Sequence, residues 1–133
     1  MIYVEIKQAY TPVKSMFEKA LKVFNIESLK NSIIQNETKL QQSDVWSNPE
    51  ISSKISQEIK EDKDNLYKIE RWKTLVSDID TLFELYEETK EDSVLVEVDK
   101  TIKILKSELE TWEVESTLSG EYDKSDAIIT INA

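Results

Sequence analysis

The sequence predicts an all-α fold: an elongated antiparallel bundle built on a long helical hairpin, ending in a short C-terminal β-strand stub. Three observations carry that expectation. The 133 residues include one glycine and two prolines, too few for the many turns of a sandwich or barrel. Charged residues make up 33% and apolar residues 39%, a balance that suits helices with one buried stripe each. Two late segments repeat apolar residues at alternating steps of three and four, which lines side chains along one helix face.

A first helix is expected from about Thr11 to Phe24, where Val13, Phe17, Leu21 and Phe24 share a face. Thr11 would cap it with Pro12 in the first helical position, where a missing N–H costs nothing. Residues 1–10 fit a strand, a frayed tail or an extra helical turn. The segment "NIES" then interrupts the pattern. A second helix follows from about Ile26 to Gln42, with Ile26, Leu29, Ile33 and Leu40 on one side, and "QSDVWSNPE" ends it.

Two local signals compete to start the third helix. Ser47 and Glu50 fit a capping box, with Trp46 and Ile51 at the flanking staple positions. Asn48 capping with Pro49 as the first helical residue fits as well. From there no breaker occurs until about Glu88, so a helix of about 40 residues would be roughly 60 Å long. Its second half carries Ile69, Trp72, Val76, Ile79, Phe83 and Tyr86. The fourth helix, about Asp92 to Thr117, repeats the rhythm with Leu95, Val98, Ile102, Leu105, Leu109 and Trp112. Two matched stripes joined by the acidic turn "EETKED" predict an antiparallel hairpin with a coiled-coil seam. A three-stranded bundle is the simplest closure of the stripe left open.

Composition excludes much chemistry. The chain has no histidine and no cysteine, which removes Ser-His and Cys-His catalysis, disulfides, zinc knuckles and carboxylate–histidine di-iron sites. We therefore expect no enzymatic activity, no catalytic, cofactor-binding or metal-binding residues, and no cofactor. The net charge is −10, with 27 acidic and 17 basic residues. No two basic residues adjoin, so no direct nucleic-acid site is expected. The N-terminus lacks the basic and apolar regions of a signal peptide, and no segment has the length of a membrane span. A cytoplasmic protein without membrane contact is the expectation.

Four groups remain to be placed. Glu87, Glu88, Glu91 and Asp92 offer oxygen ligands but lack the alternating spacing and glycine of a calcium loop, so they read as a solvated turn. Trp72 and Trp112 fall on the two seams and read as core. Trp46, in a loop, is more open to a binding role. Lys63, Lys68, Arg71 and Lys73 are spread around the third helix and read as a solvated face.

The last residues, "LSGEYDKSDAIITINA", are unlike the rest. Gly120 suits a helix exit in the left-handed region. Ile129 and Ile131 then alternate with Thr130 and Asn132, as in a strand. A lone strand leaves its backbone groups unpaired, so a further, sheet-containing domain is expected. The division is residues 1–118 as a helical domain and 119–133 as a linker with the first strand of the next.

This ending resembles the junction between the helical first domain and the decoding domain in the bacterial peptide chain release factor 2 family, where "LSGEYD" leads through a strand into a glycine-rich run. "SDVWSNPE" is similar to the family's D-x-W-x-x-P-E, with Asp44, Trp46, Pro49 and Glu50 matching, and "FNIESL" at 24–29 resembles the opening of its second helix. The resemblance covers nearly the whole chain but only the family's first domain. It implies a translation-termination protein whose full form reads UAA and UGA through Ser-Pro-Phe and releases the peptide through Gly-Gly-Gln. Neither tripeptide occurs here. The implied partners are the large-subunit stalk region of the ribosome and other termination factors. A freestanding acidic coiled-coil adaptor or scaffold, capable of self-association, is the alternative that periodicity alone would favour.

Overall fold

A computed structural model of the chain describes residues 2–119, and every regular element among them is an α-helix. The order is α1 (Tyr3–Val23), α2 (Ile26–Leu40), α3 (Ser43–Trp46), α4 (Pro49–Thr89) and α5 (Asp92–Ser119). The long helices pack as a bundle, as the two seams require. The expected strand stub and the expected boundary at residue 118 bear on residues outside the described part or at its edge.

The chain divides into two compact units. One joins the residues up to Lys19 with those from Thr74 onward; the other is Ala20–Lys73. In the first, α1 lies against the second half of α4 in antiparallel register. The Tyr3 hydroxyl donates to Glu87, and further along the Tyr10 hydroxyl donates to Asp80 at 3.3 Å. Tyr3 stacks on Tyr86 at 4.9 Å, and both Tyr3 and Tyr10 meet the Phe83 ring at 5.7 Å between centroids. Lys19 reaches Glu113 of α5 at 3.6 Å. Three helical segments therefore enclose this unit, as expected. On α5 every residue of the stripe, Leu95 through Trp112, is buried, and so are Val76, Ile79 and Phe83 on α4. Tyr86 is half-buried.

The second unit sets α2 antiparallel to the first half of α4. Its core is Ile33 of α2 with Ile55 and Ile59 of α4, joined by Leu40, Val45 and Leu66. The seam also contains polar residues. Asn36 is buried, and the Ser32 hydroxyl donates to the half-buried Asp62 carboxylate at 2.7 Å.

The start of α1 corrects the sequence reading. The helix begins at Tyr3, so Pro12 is interior and Thr11 is no cap; its hydroxyl donates to the Lys7 carbonyl instead, at 3.2 Å. Interior proline removes one backbone hydrogen bond and crowds the preceding turn. Burial outweighs that loss, because Ile6 and Tyr10 extend the Val13, Phe17, Ala20 and Phe24 stripe by two turns. The break after α1 is written by Asn25, whose side chain accepts from the Ser28 N–H at 3.0 Å. The second helix stops two residues short of Gln42 because the one-turn α3 follows it.

The hairpin turn is tight. Lys90 holds φ 57°, left-handed backbone that a Cβ disfavours. Its amide donates to the Tyr86 carbonyl at 2.7 Å, and its ammonium lies 5.5 Å from the Tyr86 ring centroid. Replacing Lys90 with glycine removes the steric term, so urea unfolding of Lys90→Gly is expected to show a gain of up to about 1 kcal/mol. Ile102, 4% exposed, sits on the α5 stripe. Ile102→Ala is expected to lose about 2–5 kcal/mol by the same measurement.

Candidate functional site

Among the described residues no group of three or more acidic side chains converges as a metal would need. Glu87 is engaged, accepting from Tyr3 and lying 3.8 Å from the Lys7 ammonium. Lys63 pairs with Glu37 at 3.2 Å across to α2. Trp72 and Trp112 are buried, as their seam positions predicted.

Two surfaces remain as candidates for contact. The first is an open groove of about 900 Å³ along α1 and the end of α4, lined by Lys7, Tyr10, Lys14, Asp80, Phe83 and Glu87 among others. Its charges are already matched: Lys14 lies 3.6 Å from Asp80, and the Lys14 ammonium is 5.8 Å from the Tyr10 ring centroid. Burial, and after it the charge and hydrogen bond of Asp80, hold the Tyr10 hydroxyl far above the usual phenol range. At neutral pH Tyr10 is thus a neutral donor to a carboxylate. The groove is a satisfied packing edge.

The second surface is the corner between α3 and α4. Val45 on α3 tucks into the Ile33–Ile55–Ile59 core and anchors the corner. The next residue, Trp46, is 60% exposed, and Ile51 on the first turn of α4 is 45% exposed. Between them Asn48 caps α4: its side-chain oxygen accepts from the Glu50 and Ile51 amides at 3.2 and 3.4 Å. Ser47 is therefore not the cap, and the capping-box reading gives way to its Asn48–Pro49 rival. Moving the cap by one residue also takes Trp46 and Ile51 off the staple positions and puts Ser47 and Ser52 there. The staple is lost, and with it the structural role that the sequence reading gave Trp46. Trp46 also closes a one-turn helix; it does not lie in a loop.

Around the corner the surface is mostly acidic. A shallow depression of about 600 Å³ over the first turns of α4 is lined by Pro49, Glu50, Ser53, Lys54, Gln57, Glu58 and Glu61. An exposed indole beside a largely acidic helix face repels a phosphate backbone and suits contact with protein.

The described residues thus define an all-helical domain whose exposed corner carries Asp44, Trp46, Pro49 and Glu50. The PCRF domain matches residues 29–133, most of the chain, and the chain belongs to that family. Among characterised proteins it is similar to peptide chain release factor 2 of Saccharopolyspora erythraea, 33% identical over 111 residues that cover 84% of this chain and 30% of that protein. The factor 2 of Clostridium perfringens is 33% identical over 107 residues, covering 80% and 29%. That of Streptomyces avermitilis is 26% identical over all 133 residues and 36% of its own length. The chain spans about a third of the length of these relatives.

The cap assignment can be tested directly. Asn48→Ala is expected to destabilise the α4 start by about 1 kcal/mol, whereas Ser47→Ala stays within about 0.5 kcal/mol. Thermal unfolding followed by circular dichroism separates the two.

Proposed function

We propose that the chain is the helical first domain of a codon-specific class I release factor acting at UAA and UGA. It works in the cytoplasm on the ribosome and carries no chemistry of its own. Residues 1–118 form the helical arm, and 119–133 link it to a decoding domain. Codon reading and peptide release then belong to parts of the full factor outside this chain, since neither Ser-Pro-Phe nor Gly-Gly-Gln occurs in it. The arm makes protein contacts, with the large-subunit stalk region and other termination factors as partners.

The observation that carries this reading is Trp46. It belongs to the stretch that resembles the family's D-x-W-x-x-P-E, yet it is 60% exposed and closes no staple. A large aromatic held outward on an anchored corner has the anatomy of a binding hot spot. In the full-length factor, Trp46→Ala is expected to weaken ribosome association about tenfold, equivalent to about 1.4 kcal/mol. Helicity and unfolding midpoint should stay unchanged, and codon preference should be retained. Unchanged association with a correctly folded variant would remove the corner from the interface.

A further inference from the structure

A further surface, away from both the groove and the corner, has a charge pattern that pairs with itself. On α2, Lys30, Ile34 and Glu37 follow at steps of four and three and share one face; on α4, Lys63, Tyr67 and Glu70 do the same. The two rows run antiparallel and are tied at both ends, Lys30 to Glu70 at 3.9 Å and Lys63 to Glu37 at 3.2 Å. Ile34 and Tyr67 therefore occupy the middle of a small rectangle, 60% and 68% exposed. Its corners alternate in sign, with a lysine diagonally opposite a lysine and a glutamate opposite a glutamate.

We infer that this face is a self-association surface, and that its occupant is a second copy of the same chain. A two-fold axis lying in the plane of the face and running along the helices sets Lys30 of each copy over Glu70 of the other. The same axis sets Glu37 over Lys63 and Ile34 over Tyr67. All four corners then meet opposite charge around an apolar centre, the isologous arrangement of a two-fold dimer. The four corner charges sum to zero, so the face is a neutral island on a chain of net charge −10. At physiological salt the repulsion between the remaining charges is screened beyond about 8 Å. The four corner side chains are already held by their partners across α2 and α4, which limits the ordering lost on contact.

Sedimentation equilibrium of the 133-residue chain at physiological salt tests this. A monomer–dimer equilibrium is expected, with Tyr67→Ser raising the dissociation constant at least about tenfold. Val114→Ser, at an exposed apolar residue on α5, should leave it unchanged. A charge-matched mixture gives the sharper readout. A variant carrying Lys30→Glu and Lys63→Glu, and another carrying Glu37→Lys and Glu70→Lys, should each be monomeric alone and should pair when mixed. A chain that stays monomeric to about 1 mM, or variants that fail to pair on mixing while remaining helical, would overturn the inference. So would a dimer indifferent to Tyr67→Ser. If Tyr67→Ser instead weakened only ribosome association of the full-length factor, the face would belong to another protein, and self-pairing would be refuted.

Discussion

The fold depends on one helix that cannot stand alone. α4 runs 41 residues without a break, and most of its surface is charged or polar. Only a narrow apolar stripe offers anything to bury, so its persistence depends on tertiary cover more than on propensity. The cover differs between the two halves. From Val76 to Phe83 the stripe is fully apolar and closed by the matching stripe of α5 and by the aromatic edge of α1. From Ile55 to Leu66 the cover is the shorter α2, with fewer large side chains and a hydrogen-bonded polar pair in the seam. The first kind of packing rests on apolar area, and the second on area together with correctly placed partners.

The acidity of the chain is managed locally. Several basic residues are matched across helices: Lys7 with Glu87, Lys14 with Asp80, Lys19 with Glu113, Lys30 with Glu70 and Lys63 with Glu37. Each pair is exposed and individually weak. Their common effect is on pairing geometry, since each joins different helices and disfavours other alignments through like-charge contacts. Lysines also lie over the Tyr3, Phe83 and Tyr10 rings, so aromatic faces and carboxylates share the same cations.

Much of this was legible from residue spacing. The hairpin of α4 and α5 was read correctly because its steps of three and four persist for many residues without interruption. The beginning of α1 was not, because Pro12 after Thr11 imitates a helix start, and single-residue signals outweigh a stripe that only Ile6 and Tyr10 extend. Asn36 and Asp62 hid part of the second seam, since polar residues in core positions break the hydrophobic pattern used to find them. The corner was half legible. The sequence located a helix start within one residue, but the choice between Ser47 and Asn48 decides whether Trp46 is clamped or free, and only backbone geometry resolves that choice.

The polar pair in the second seam has a consequence for alignment. An all-leucine interface between α2 and α4 would tolerate a slide of one helical turn, about 5.4 Å, with little change in buried area. Here such a slide would carry Ser32 away from Asp62 and strand a half-buried carboxylate, at a cost of about 1–3 kcal/mol. It would also move Asn36 to a different neighbour. Ser32 and Asp62 thus contribute little net attraction but disfavour a slipped register. Because α3 follows α2 directly, that preference also fixes where Val45 enters the core and where the exposed indole beside it is displayed.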